Sequence, residues 1–483
     1  MIKNNLVKSI LNFFIILFLF IYAKGENKSA LLTKIKNGID SGRIAYKLTE
    51  PEEIKTLLGA PQKETERKSG GMLMLELEYP NISILFGKMR NDPAPFTIRE
   101  VFFQDKKIDI GEGNKVVLRS NDDLRKIDKF QGFQNISLIR LDLRDKIELI
   151  NSMTFDTLTE WPSEDKLPVG FNPAKLLKEG KNPGLGIRSL HEKGIDGSGV
   201  GIAIIDQPLL LGHEEYTSRL IRYDATGLDG FSPQMHGSPV ASIAVGKNIG
   251  VAPGASLTYF AVPMWESDNT SYINALRNIF ELNKNLPVKE KIRVVSISTG
   301  MFPHYPNFDE WKEVLNHAEK LGILVVTCDQ AILEYGMLSL IPGEDPDKVQ
   351  SYKPGKYVSE DDLIRIPGAN KTLASHRGDD IYMYVRKGGM SWGAPYIAGL
   401  AALAYQVDPE IKPMNIIKYL IETVTRTQSG PVVNPIGFVE MAQRKRSKNL
   451  SRNEWKPKTL KPLASQLSKR QQSVICASLR KTH

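Results

Sequence analysis

Cysteine is nearly missing from this chain: Cys328 and Cys476 are the two in 483 residues. That excludes a disulfide-built scaffold and a cysteine-rich zinc cluster. Cys328 ends an apolar strand-like run and Cys476 lies near the carboxyl terminus, so two separate thiols are expected. Histidine is scarce as well, seven in all. His191, His304, His317, His376 and His483 have no partner at metal-ligand spacing such as His-Glu-x-x-His, which argues against a catalytic zinc. His213, in His213-Glu214-Glu215-Tyr216, reads as structural. A glycine-rich phosphate loop is missing, and so is a basic face interleaved with aromatics, so no nucleic-acid partner is expected. Long apolar runs are missing except for residues 10–23, which follow Lys3 and Lys8 and are interrupted mainly by Asn12. The run falls short of the about 20 residues a membrane-spanning helix needs. Residues 1–25 therefore read as a signal peptide, with the small residues Ala23 or Gly25 at the cleavage point. This predicts a secreted or cell-surface protein, and with no cysteine after the run a lipid anchor is not expected.

What is present is enough apolar sequence, 41% of residues, for two folded domains. The net charge of +9 is uneven. Residues 443–483 hold twelve Lys or Arg against one Glu, leaving the rest of the chain close to neutral. That basic tail, rich in Ser and Gln, reads as flexible, extended or weakly helical, and suited to contact with anionic cell-surface polymer.

Residues 26–160 read as a small β-rich or α+β domain. Thr49-Glu50-Pro51-Glu52 resembles a capping box opening a helix through Leu58, ended by Gly59 and Pro61. Strand-like stretches follow at 72–79, 82–86, 98–103, 116–119 and 136–143. Leu138-Ile139-Arg140-Leu141-Asp142-Leu143 hints at a leucine-rich repeat, but no fixed period recurs, so the hint is discounted. Residues 161–183 form a Pro/Gly-punctuated connector. Over 184–442 strand and helix alternate: apolar β-branched runs at 200–205, 257–262, 294–297 and 323–326, helices at 238–245, 271–282 and 311–321. Alternation of this kind predicts an α/β domain with a parallel sheet flanked by helices on both faces. Residues 335–388 read as loop-rich and as covering part of a cleft. The helix expected at 413–423 closes the domain.

Three segments carry the chemistry. Asp206 ends the first apolar run, His236 precedes a small-residue helix, and Ser391 follows two glycines and opens another helix. A serine hydroxyl is a weak nucleophile until a base takes its proton, and an imidazole serves best when a third group fixes its tautomer. Asp206, His236 and Ser391 supply that set. The strand end at Asp206, the segment Ser298-Thr299-Gly300 and the segment 327–330 all lie at carboxyl ends of expected parallel strands, where such sheets gather ligands.

The three segments resemble the subtilisin-like serine peptidases, the subtilases. His236-Gly237-Ser238-Pro239-Val240-Ala241-Ser242 stands where the family has His-Gly-Thr-His-Val-Ala-Gly. Gly389-Met390-Ser391-Trp392-Gly393-Ala394-Pro395 stands at its Gly-Thr-Ser-Met-Ala-(Ser/Thr)-Pro. Asp206-Gln207-Pro208 stands at its Asp-(Thr/Ser)-Gly. The connectors Gly250-Val251-Ala252-Pro253-Gly254-Ala255 and Val294-Val295-Ser296-Ile297-Ser298-Thr299-Gly300 match as well. The likeness covers roughly residues 180–443. The order Asp, His, Ser is that of subtilisin and differs from the chymotrypsin and α/β-hydrolase orders.

The resemblance implies a secreted serine endopeptidase acting on protein or peptide substrates through an acyl-enzyme. The edge at Ser298, Thr299 and Gly300 would pair with substrate backbone. No cofactor is expected, calcium being open by resemblance alone. The domain at 26–160 occupies the place of the family's propeptide without a recognisable propeptide motif. One departure stands out: after the strand at 323–326 the family's oxyanion asparagine is missing, and Gln330 is the nearest amide donor, beside the Ser391 N–H. Two alternatives stay open, a catalytically silent fold serving as a binding or adhesion module, and an esterase or amidase on the same triad.

Overall fold

The computed structural model describes residues 30–451, apart from 42, 70–71, 91–93, 109–114, 128–131, 226, 229, 265, 267 and 330–332. The expected signal segment, the oxyanion candidate Gln330, and the tail beyond 451 lie outside the described residues. The described residues fall into two compact units divided between Phe171 and Asn172. That division lies within the 161–183 segment read as a connector.

In the first unit, after a helical stretch at 30–40, helix α1 (Pro51–Leu58) precedes an antiparallel meander. Its strands are β1 (Lys63–Ser69), β2 (Met72–Tyr79), β3 (Ile82–Met89), β4 (Thr97–Phe103) and β5 (Lys106–Ile108), paired in chain order. The helix cap lies one residue later than the sequence suggested: the Glu50 N–H donates to Glu53 at 2.8 Å, while the Thr49 hydroxyl donates to the Arg43 carbonyl. Along β2, Leu75, Leu77 and Tyr79 are buried and alternate with Glu76 and Glu78. With Ile54, Ile82, Ile84, Phe86, Ile98 and Val101 they form the unit's apolar cluster.

The rest of this unit differs from the expectation. The stretch 136–143 is not one strand; only Ile136–Ser137 pair, in parallel, with Val116–Val117. A further parallel bridge joins Ser137 to Glu160. These rungs recur after 20 and 23 residues. Two buried leucines, Leu118 and Leu138, follow the first two rungs. The third rung is polar, Glu160, followed by Trp161. That indole packs edge-on against Phe133 and Phe155.

The second unit is built on a five-stranded, all-parallel sheet. Its strands are β6 (Gly201–Asp206), β7 (Leu220–Asp224), β8 (Ser256–Ala261), β9 (Ile292–Ile297) and β10 (Leu324–Val326), in the spatial order β7-β8-β6-β9-β10. All six residues of β6 are buried, as a strand covered on both sides requires. Ile202, Ile204, Val294, Leu324 and Val326 join one apolar cluster, which includes helix α2 (Gly237–Val245). Ala203, Ile205, Phe260, Val295, Ile297 and Val325 join another, with helices α3 (Thr270–Asn285) and α4 (Phe308–Lys320).

Residues 335–388 are not loop-rich. They hold strands β11 (Tyr335–Leu340), β12 (Ile364–Ala369), β13 (Lys371–Ala374) and β14 (Tyr382–Val385), nearly all buried. Pro367-Gly368 made β12 read as a loop. The register against β11 slips there, Leu338 facing Pro367 and Ser339 facing Ala369, so the proline and glycine sit at a bulge where a sheet tolerates them. Helix α5 (Gly393–Val407) and α6 (Pro413–Glu422) follow. The last helix, α7 (Pro435–Ser451), runs past the 442/443 boundary read from composition.

Candidate active site

The sheet order fixes where a cleft forms. From β6 the chain moves to one side for β7 and β8, then crosses to the other for β9 and β10. The carboxyl end of β6 is thus the point where the winding reverses, the preferred ligand position in parallel sheets. Asp206 is the last residue of β6 and is fully buried.

His236 caps the amino end of α2, and its Nδ1 lies 2.7 Å from Asp206 Oδ1. The same carboxylate oxygen accepts the Gln207 N–H at 2.8 Å. Tyr259 braces this turn, its hydroxyl donating to the Gln207 carbonyl at 2.6 Å. Gly237 follows His236 because nothing larger fits: a Cβ there would lie 2.6 Å from the Tyr259 hydroxyl and 2.9 Å from the Gln207 oxygen. Burial opposes charge on the imidazole. Attraction to Asp206 and the hydrogen bond outweigh it, raising the His236 pKa above the ordinary histidine value.

Ser391 occupies a 3-10 turn, Met390–Trp392, at the entrance to α5, and is partly exposed. Its neighbour Trp392 stacks on the His236 ring, with centroids 5.3 Å apart and planes inclined by 25°. Among the described residues no hydrogen bond joins Ser391 to His236; such contacts commonly tighten only when substrate binds. Tyr335 holds the turn from below, donating to the Met390 carbonyl at 3.0 Å. Its ring lies against Gly393, where a Cβ would come within 2.1 Å. The sequence reading missed Tyr259, Tyr335 and Trp392; an aromatic directly after Ser391 was the available signal.

Ser298, Thr299 and Gly300 directly follow β9. Ser298 is buried, and the Thr299 carbonyl accepts the Cys328 N–H at 3.0 Å, tying this edge to the end of β10. Cys328 is a free thiol whose pKa burial pushes up to about 12, so it is no thiolate nucleophile. His213 lies away from this chemistry. Its Nδ1 accepts the Glu215 N–H and its Nε2 donates to the Ile381 carbonyl, while burial lowers its pKa against the pull of that carbonyl.

Residues 197–329 match the family model described as the subtilase family. Over those residues the chain is similar to the subtilases. The matched span includes Asp206 and His236 and ends before Ser391. The chain is 25% identical over 285 residues to the subtilisin-like protease PopC of Myxococcus xanthus strain DK1622. That alignment covers 50% of this chain and 58% of PopC, so the chain spans little more than half of that relative. Similar solved structures include the subtilase cytotoxin SubAB assembly, at 16% identity and a TM-score of 0.45 over 56% of this chain and 98% of that one. Another is the prenylagaramide maturation protease PagA, at 18% identity and a TM-score of 0.42 over 53% and 98%.

Proposed function

We propose that this chain is an active serine endopeptidase, with Ser391 as nucleophile, His236 as general base and Asp206 as the group that orients the base. The observation that carries the reading is the buried 2.7 Å Asp206–His236 pair, stacked on the residue next to Ser391. Ser391 Oγ attacks a peptide carbonyl while His236 takes its proton and returns it to the leaving amine. Asp206 keeps Nδ1 protonated, so that Nε2 is the basic nitrogen. The Ser391 N–H, at a helix amino end, and the Gln330 side chain hold the oxyanion. Water then resolves the acyl-enzyme. Substrate backbone pairs along Ser298, Thr299 and Gly300. The same reading takes residues 1–25 as an export signal, places the enzyme outside the cell or on its surface, and assigns the basic 443–483 segment to anionic surface polymer.

One rival draws on a specific feature: the missing oxyanion asparagine and the Gln207-Pro208 substitution favour a silent fold that only binds. Intact-mass analysis with a fluorophosphonate probe separates the two. A single adduct, lost in Ser391→Ala, is the expected result. No adduct on folded protein, with or without its first unit, would leave the binding module standing.

A further inference from the structure

We propose that Trp392 is a positioning residue for His236, its indole face holding the imidazole on Asp206 and stabilising the ring while it carries a proton. This rests on the reading of His236 as general base. The two rings overlap at 5.3 Å and 25°, an offset stack within the range where an aromatic face attracts a cation. The indole cannot readily yield. Trp392 is 8% exposed and belongs to the main apolar cluster of its unit. Its backbone N–H donates to the Gly389 carbonyl at 3.0 Å, and the residues on either side of Ser391-Trp392 are fixed by Tyr335.

The site has an electrostatic need that the indole meets. His236 caps α2 and Trp392 caps α5, so an imidazolium between them faces two helix amino ends, whose dipoles oppose positive charge. From β6 the carboxylate of Asp206 faces the ring. From β8 the nearest titratable group is Tyr259, which burial keeps protonated. An aromatic face is then the second attraction available to the charged ring. The indole Nε1 is buried with no hydrogen-bond partner among the described residues, so the site uses the ring and not its donor. Phenylalanine should therefore substitute, and a flexible side chain without a π face should not.

The test compares full-length wild type, W392F and W392M by the pH dependence of their fluorophosphonate labelling rates and by tryptophan emission. Wild-type labelling should rise through a midpoint above the ordinary histidine pKa of about 6.5. In W392M the charged ring loses support, so the midpoint should fall by about half a pH unit, with a plateau several-fold lower. W392F should keep the wild-type midpoint. The emission difference between wild type and W392F should titrate at that same midpoint, because a protonated imidazole quenches the indole it touches. Superimposed profiles for wild type and W392M, or a flat emission difference, would overturn the proposal. If no protein labels at any pH, the peptidase reading fails, while the emission titration still decides whether the stack senses the proton on His236.

Discussion

In the first unit, β2 turns Leu75, Leu77 and Tyr79 inward and Glu76 and Glu78 the other way; in the second, every residue from Gly201 to Asp206 is buried. The difference is one of coverage. A half-covered antiparallel sheet reads as alternation and disperses its strand ends, each hairpin returning the chain beside itself. A parallel sheet covered on both faces reads as apolar runs and sends every strand out at the same edge. Asp206 and the residues after β9 and β10 lie at that edge. The largest effect should follow from breaking the chemistry at that edge. Asp206→Asn keeps the shape but leaves His236 without its counter-charge. Turnover should drop by about 10⁴. The acid limb should also move down in pH, since the attraction that raises the His236 pKa is gone. A pH series of kcat/KM checks both, and an unmoved limb would remove Asp206 from the mechanism.

The next effect compares the two cores. Ile204→Ala on β6 and Ile84→Ala on β3 each open a cavity at a fully buried position, and each should cost about 2–5 kcal/mol. They should differ in what else fails. Ile204 lies two residues before Asp206, so its loss should slow labelling of Ser391 beyond what the unfolded fraction explains. Ile84→Ala should raise amide exchange within 72–103 and leave the labelling rate per folded molecule unchanged. Equal effects on labelling would show that the site depends on more than its own sheet.

Legibility followed the same division. The runs at 200–205 and 294–297 and the alternation at 72–79 were plain in the sequence because burial on two faces or on one leaves a periodic mark. Strand β1, Lys-Glu-Thr-Glu-Arg-Lys-Ser, was missed because it is all polar, as an edge strand can be. Strand β12 was missed because a bulge accommodates Pro367-Gly368, a pairing fact invisible locally. At the site, Asp206 and His236 were found through motif context and meet as expected of such a pair. The braces from Tyr259, Tyr335 and Trp392 depend on long-range packing, which residue spacing does not encode.

Lysines sharpen the comparison further. Lys371 is 6% exposed in the second unit, its ammonium donating to the Pro183 carbonyl at 2.9 Å. Burial, helped by Arg188 and opposed by Asp347, lowers its pKa to about 7. The unfolded chain, with an ordinary lysine pKa of about 10.4, binds the extra proton between those values, so stability should rise with pH across that window. The penalty is fully present below pH 7. Lys371→Met should therefore flatten the dependence of Tm on pH, with its advantage over wild type largest at pH 6 and shrinking toward pH 10. Parallel curves for the two proteins would mean that Lys371 is charged throughout.

The smallest effect belongs to the same residue type on the open sheet. Lys63 on β1 stands directly across from Glu78 on β2, with the charged atoms 3.0 Å apart and the side chains 63% and 40% exposed. Water and salt screen such a pair, and holding two long side chains in register offsets most of the attraction. Lys63→Ala should cost no more than about 0.5 kcal/mol, and less as salt rises. Urea titrations at low and high ionic strength measure this directly. A cost above about 1 kcal/mol that salt leaves unchanged would mean that β1 is shielded from solvent rather than an open edge, and the contrast between a covered sheet and an exposed one would have to be redrawn.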